Sequence, residues 1–310
     1  MGNSTDARLA VIVVNYGSSA LLATNLVPLG RGLENAMIVV VDNLTDRTER
    51  AAVTELAAVE HWQLLTPDSN LGFGAGVNLG AARALELGAT ALLILNPDAS
   101  IEPRAAEALV ERSRRNPLAL LCPRIVRPDG STWFDGADLH LNDGRLRNRA
   151  ARPAHNWEPW LTGACLLATE ELWRLVGGFD DDFFLYWEDV DLSHRVLAAG
   201  GRLEVCDDIV AVHAEGGTQG AGHESAGEPK SATYYYYTIR NRLLFAAKHL
   251  DDAGYDRWLA NSRAVAWEVL LQGGRRQFLR SLAPLLIAQR ALRDGRTLGA
   301  TARADTSSSS

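Results

Sequence analysis

Three carboxylates fall within four positions, Glu188, Asp189 and Asp191, directly after the aromatic run Phe183-Phe184-Leu185-Tyr186-Trp187. Acids placed beside bulky apolar side chains are costly to bury unless they have a partner or a task. At the start of a helix the dipole favours an ionised carboxylate, and such a group can take the proton of an attacking hydroxyl. Helix capping alone would account for one acid but not for the aromatic lead-in. Asp191 and Arg195 are spaced i,i+4 and are expected to pair along the helix, whose apolar face is Leu192, Val196 and Ala199.

A second set of candidates lies at the ends of apolar runs. Asp98, in Asn96-Pro97-Asp98, closes Ala91 to Leu95. There it can ligate a hard divalent cation whose other positions are filled by diphosphate oxygens and water, or serve as a plain turn residue. His213 ends another apolar run and is a candidate second ligand, although most isolated histidines hold no metal. Asp42 closes Val39-Val40-Val41 and can accept a pyrimidine ring N–H or ribose hydroxyls, or simply start the turn at Asn43. From Asn70 to Gly80 a glycine-rich turn enters a helix, the kind of backbone that approaches phosphate closely; close helix packing is the competing explanation. It is no dinucleotide fingerprint, because the third glycine would fall at Val77 and the turn does not follow the first strand. Asn70 and Asn78 offer amides to a donor nucleotide under either reading.

These groups need a frame. Leu9 to Val14 and Ala36 to Val41 are continuous β-branched runs, predicted as strands buried on both faces, with a crossover helix over 18–29. The alternation continues with a helix over 48–58, a strand over 62–65, a helix over 75–87 and a strand over 91–95. It predicts an α/β fold with polar residues at strand carboxyl ends, where such sheets bind ligands; Asn15, Asp42 and Asp98 are so placed. Pro103 to Arg115 is predicted as a helix with proline at its start. From Leu118 to Arg152 the many prolines and glycines predict short strands and turns, a place for an acceptor-specific surface. Glu170 to Val176 is predicted as a short helix, and 202–206 and 209–212 as two strands. Helices are expected over 233–250, 255–271 and 276–292, the last kinked or broken by Pro284, and the serine-ended 301–310 is expected to be disordered. The division is a catalytic domain over 1–232, with a donor half to about 117 and an acceptor half beyond it, then a helical extension over 233–300.

The net charge of -7 conceals an asymmetry. From Met1 to Tyr237 there are nineteen Lys/Arg against thirty-two Asp/Glu, and from Arg240 to Arg303 twelve against five. An acidic body with a basic helical tail suits an anionic surface or a phosphate-bearing ligand, or marks a solvated helix face. Cys122, Cys165 and Cys206 show no metal or disulfide spacing and fit a reducing cytoplasm. No secretory signal and no run of about 18 apolar residues is present, so no transmembrane helix is expected.

Taken together, Val13-Val14-Asn15-Tyr16, Val40-Val41-Asp42-Asn43, Asn70-Leu71-Gly72-Phe73-Gly74, Leu95-Asn96-Pro97-Asp98, Thr162-Gly163-Ala164 and Gly177-Gly178-Phe179-Asp180 through Trp187-Glu188-Asp189-Val190-Asp191 resemble family 2 glycosyltransferases. The resemblance is to the bacterial rhamnosyltransferase-like branch and runs in order from about Leu9 to about Phe245. It implies a GT-A fold, a Rossmann-like, mostly parallel sheet flanked by helices, with a helical C-terminal extension. It also implies inverting, single-displacement transfer from a dTDP- or UDP-sugar, rhamnose or a related hexose, to a lipid-linked saccharide.

By resemblance Asp189 is the general base with Glu188 beside it. Asp98 and His213 hold Mg2+ or Mn2+, with Asn96 where the family's DxD-type motif has its first acid. Donor contacts fall to Asn15, Tyr16, Asp42, Asn70, Gly74, Asn78, Asn96, Asp98, Gly163 and Ala164. Trp187, Arg240 and Arg242 face the acceptor or its diphosphate. The expected location is cytoplasmic, with peripheral contact at the inner face of the cell membrane and a homodimer left open, and no nucleic-acid partner. The alternatives are a tailoring enzyme for a soluble acceptor, a sugar nucleotidyltransferase, for whose basic glycine-rich loop Asn15-Tyr16-Gly17-Ser18 is a poor substitute, and a non-catalytic nucleotide-sugar-binding protein.

Overall fold

A computed structural model describes residues 8–43, 45–149, 155–214 and 230–308. The elements, in order, are β1 (Leu9–Asn15), α1 (Ser19–Leu21) running through a π turn (Leu22–Leu26) into α2 (Val27–Gly32), β2 (Met37–Asp42), α3 (Arg47–Val59), β3 (Gln63–Leu65), α4 (Phe73–Glu86), β4 (Ala91–Leu95), β5 (Ala99–Ile101) and α5 (Pro103–Arg115). They continue with β6 (Ala119–Val126), β7 (Thr132–Phe134), β8 (Ala137–His140), β9 (Leu146–Asn148), β10 (Trp157–Trp160), β11 (Cys165–Thr169), α6 (Glu170–Val176), α7 (Glu188–Ala198) and β12 (Arg202–His213). The chain ends in α8 (Ala232–His249), α9 (Asp252–Leu271), α10 (Gln277–Arg280) and α11 (Ala283–Ser308).

The chain forms two compact units: Met1–Ala137 with Pro159–Phe184 and Glu188–Ala221, and Asp138–Glu158 with Leu185–Trp187 and Gly222–Ser310. The first holds a nine-stranded sheet in the order β3-β2-β1-β4-β11-β6-β12-β5, with β7 on β6. β1, β2, β3 and β4 are mutually parallel, β6 and β12 run the same way, and β11, β5 and β7 run opposite. β1 and β4 are buried at every position, as continuous apolar runs require when helices cover both faces. The small residues of α4 have a steric cause: a Cβ at Gly80 would lie 2.7 Å from Ile12 Cγ2, so the helix lies flat on β1.

This topology gathers polar residues at one end of the sheet. Asn15 and Asp42 are register partners at the tips of β1 and β2. Cys165 opposes Leu95, and Asn96 N–H donates to the Ala164 carbonyl at 2.9 Å. His213 opposes Ala99 across β12 and β5, beside Asp98. The expected strands 202–206 and 209–212 are one strand whose pairing with β6 shifts between Cys206 and Val210. The Gly216-Gly217 pair that follows His213 lies outside the described residues.

In the second unit α8, α9 and α11 enclose Tyr235, Ile239, Ala266, Val269, Leu270, Ala288 and Ala291, and a small sheet has the order β10-β8-β9. The helix expected over 276–292 breaks at Ser281-Leu282, upstream of Pro284. Pro284 stands in the first turn of α11, where its missing N–H is no loss. The tail expected to be disordered is helical to Ser308. Alanine at 300, 302 and 304 favours helix, and Arg303 donates to the Leu250 carbonyl at 3.0 Å and pairs with Asp252.

Candidate active site

Asp189 is the second residue of α7, with both oxygens engaged in the first unit. Gly163 N–H donates to Oδ2 at 3.1 Å and Val190 N–H to Oδ1 at 2.9 Å. The same loop is fixed by Leu161 N–H to Ser193 Oγ at 3.0 Å. Burial raises the Asp189 carboxyl to about 6, while the Gly163 and Val190 donors pull the other way. Glu188 is more deeply buried, and its Oε2 has no hydrogen-bond partner among the described residues. Burial, then the charges of Asp189 and Asp191, hold its carboxyl well above the usual range. Of the neighbours, Asp189 is therefore the one that ionises more readily. Asp191 is fully buried and pairs with Arg195 at 2.7 Å, whose Nη1 also donates to the Val176 carbonyl at 2.6 Å.

Asp98 and His213 come together as the sheet register requires. Asp98 Oδ1 and His213 Nε2 are 3.2 Å apart, both residues buried. Neither atom has hydrogen-bond geometry to the other or to any described group, and His213 Nδ1 is equally unmet. The Ala214 N–H to Asp98 carbonyl bond at 3.0 Å fixes the two backbones, and Trp133 stacks on the imidazole with centroids 4.3 Å apart. Buried lone pairs without donors are expensive, so the pair fits a cation that both would hold. No cluster of three or more His, Cys, Asp or Glu that could hold a metal occurs among the described residues. Such an ion would therefore draw its remaining ligands from substrate and water.

At the β1 and β2 tips, Asn15 Nδ2 donates to Asp42 Oδ1 at 3.1 Å and its Oδ1 accepts Ser18 N–H. Arg50 pairs with Asp42 Oδ2 at 2.8 Å. Asp42 is fully buried, so a base or ribose reaches it only where Arg50 gives way. Tyr16 is exposed, Asn96 half-buried and Ala164 buried.

Several expected contacts are corrected by their surroundings. Asn78 spends its whole amide on the loop before α7: Nδ2 donates to the Phe179 carbonyl and Asp181 at 2.8 Å each, and Oδ1 accepts Phe179 N–H at 2.9 Å. Asn70 is exposed, and although its Oδ1 accepts Gly72 N–H at 2.8 Å, that bond does not remove it as a donor contact. Gly74 packs on Phe179, where a Cβ would sit 3.0 Å from that residue's Cβ. The glycine-rich turn is thus shaped by chain packing: Gly72 has φ +84°, and a Cβ there would fall 2.1 Å from the Phe184 carbonyl.

In the second unit Arg242 is buried. It donates to the Asp143 and Trp258 carbonyls and lies over the Trp258 ring, and burial draws its guanidinium down to about 10. It is a packing residue and not a diphosphate ligand. Trp187 is also buried, between Phe245 and Trp258, so its ring is not offered to an acceptor. Arg240 is half-buried near Tyr237 and keeps its candidacy.

Sequence reasoning missed four positioning residues. Asn43 clamps the glycine turn, donating to the Gly72 carbonyl at 2.7 Å and accepting Leu71 N–H. Asn25, in the π turn, donates to the Pro97 carbonyl at 2.8 Å. Asn241 donates to the Leu185 and Tyr186 carbonyls at 2.9 and 2.7 Å, where Tyr186 and Trp187 have φ of 62° and 75°. Bulky residues in that region cost about 1–3 kcal/mol each, and Asn241 offsets part of that cost. Trp133 is the fourth. Asn43 lies inside a stretch that carried the family resemblance and was legible by position; Trp133 carried no signal.

The description "Glycosyl transferase family 2" fits residues 10–184, more than half the chain. The chain is a family 2 glycosyltransferase. Among its relatives, an "N-acetylglucosaminyl-diphospho-decaprenol L-rhamnosyltransferase" of Mycobacterium tuberculosis is 31% identical over 221 residues, covering 62% of this chain and 71% of that protein. The "dTDP-rhamnosyl transferase RfbF" of Shigella flexneri is 24% identical over 217 residues, covering 70% and 72%. A mannosyltransferase of Pyrobaculum calidifontis, solved with GDP-Man and Mn2+, superposes with TM-score 0.54 at 15% identity, covering 97% of the glycosyltransferase and 87% of that chain. That likeness shows the GT-A fold.

Proposed function

We propose that this glycosyltransferase moves a sugar, L-rhamnose or a related hexose, from a dTDP- or UDP-sugar to a hydroxyl of a lipid-linked saccharide in cell-wall or polysaccharide synthesis, with inversion. The observation that carries the reading is Asp189. Its carboxylate is oriented by the Gly163 and Val190 N–H groups, and burial raises its carboxyl to about 6, closer to neutrality than a free carboxylate, as suits a general base. In the transfer the acceptor oxygen forms its bond to the anomeric carbon as its proton passes to Asp189. The bond from that carbon to the diphosphate breaks on the opposite face, its electron pair leaving with the diphosphate. Asp98 and His213 are the residues that would hold Mg2+ or Mn2+, and a bound ion there supplies neutralisation of the leaving charge. Rhamnose and the lipid-linked acceptor are supported by the relatives' names.

The test is incubation of the purified enzyme with dTDP-rhamnose and UDP-sugars plus a polyprenyl-diphosphate saccharide, with nuclear magnetic resonance of the product's anomeric centre. Transfer with inversion supports the reading. Retention of configuration, or no transfer from any of these donors, overturns it.

A further inference from the structure

The corner between α10 and α11 presents apolar side chains to solvent. Leu279 is 88%, Leu282 64% and Leu286 64% exposed. Leu282 and Leu286 are i,i+4 neighbours and share one face at the start of α11. The corner is a built feature. Ser281 is extended after α10, its Oγ accepts Ala283 N–H at 3.0 Å, and Leu282 accepts the N–H of Leu285 at 3.0 Å and of Leu286 at 3.2 Å. Beside it Phe278 stacks on Trp267, centroids 5.1 Å apart, and Trp267 is itself 46% exposed. Soluble chains seldom leave large apolar side chains clustered at the surface without something to cover them.

Charge selects what covers this one. Residues 269–293 contain five arginines and no aspartate or glutamate, and Arg275, Arg276 and Arg280 next to the leucines are exposed. A second copy of the chain would bring the same arginines face to face across a two-fold axis. An anionic lipid surface meets both features at once: leucines and a tryptophan enter the acyl boundary while arginines stay among headgroup phosphates. No helix among the described residues is long and apolar enough to cross a membrane, so the contact is a surface one.

We infer that the α10–α11 corner is a docking surface for anionic bilayers, inserted through Leu279, Leu282 and Leu286 and held by the adjacent arginines. The surface follows from its own chemistry. Its use, keeping the enzyme beside a lipid-linked acceptor, rests on the proposed function.

The experiment is co-sedimentation of the full chain with phosphatidylcholine vesicles, with and without phosphatidylglycerol. Variants are Leu279→Glu/Leu282→Glu/Leu286→Glu together, and Arg275→Gln, Arg276→Gln and Arg280→Gln singly; circular dichroism melts check that each folds. The wild type is expected to bind the phosphatidylglycerol vesicles, and to lose binding as salt rises. Each arginine change should lower partitioning roughly fivefold at low salt, and the leucine triple should stay in the supernatant. The inference is overturned if the folded leucine triple partitions like the wild type, or if wild-type binding is independent of phosphatidylglycerol. It is equally overturned if the wild type sediments alone as a dimer that the triple converts to monomer. Transfer to a water-soluble acceptor separates the two proposals: lost vesicle binding with transfer retained removes the docking surface alone, and vesicle binding without any transfer removes the proposed function alone.

Discussion

The first unit contains two acidic centres that are finished to different degrees. At the start of α7 the carboxylates of Asp189 and Asp191 are met by the chain itself, through Gly163, Val190 and Arg195. Beside β5, Asp98 and His213 face each other at 3.2 Å with buried atoms that nothing among the described residues satisfies. The first is oriented before a substrate arrives, so little reorganisation is left for the moment of reaction. The second is a buried carboxylate and imidazole whose facing atoms have no hydrogen-bond partner among the described residues, the arrangement the proposed cation would meet.

The sharpest way to break the contrast is to neutralise the finished centre. Asp189→Asn should lower kcat by about 10²–10⁴-fold while leaving donor affinity, read by calorimetry, within a few-fold; retained turnover would remove Asp189 as the base. The wild-type pH profile tests the same group more gently. The base must be ionised, so kcat/KM should fall toward acid through a limb at about 6, and Asp189→Asn should lose that limb.

The Asp98 and His213 pair should respond to metal. Asp98→Ala or His213→Ala is expected to abolish the extra melting-temperature rise that Mn2+ gives in the presence of UDP. If both variants keep the full rise, the pair holds no cation. A smaller effect is expected from Trp133→Leu, because removing a group that orients a metal ligand costs on the order of 10-fold in metal affinity. Titration of Mn2+ against the same melting shift measures it, and unchanged affinity would make the stacking incidental.

The difference between the centres also explains how far the sequence could be read. Strand tips were legible because continuous apolar runs end in a polar residue: Asn15, Asp42, Asp98 and His213 were all found at one end of the sheet. The Asp191 and Arg195 pair was legible because helix spacing is local. What each amide does was not. Asn78 meets Phe179 and Asp181 about a hundred positions away, and no local pattern distinguishes an amide that binds a nucleotide from one that binds a loop. Arg242 failed for the same reason, since its partners are the Asp143 and Trp258 carbonyls. The glycine turn looked like a phosphate cradle because close approach of a phosphate and close approach of the Phe184 backbone demand the same residue. Trp133 lay in a segment broken by proline and glycine, where periodicity carries no information.

Glu188 gives the smallest effect and the finest test of the comparison, because among the described residues its buried Oε2 meets no hydrogen-bond partner. If burial and the charges of Asp189 and Asp191 keep it protonated, Glu188→Gln replaces one neutral side chain with another of the same shape, and kcat should change by less than about 10-fold, far less than for Asp189→Asn. Its stability effect has a definite sign. The folded pKa lies above the unfolded one, so between the two the native state binds more protons than the unfolded chain, and the contribution of Glu188 to stability falls as pH rises. Glutamine removes that dependence. Urea midpoints of wild type and Glu188→Gln should therefore differ more at pH 8 than at pH 5, in favour of glutamine. The opposite order would mean that Glu188 is ionised in the folded enzyme, and would move it from the neutral neighbour of the base to a second candidate for the base itself.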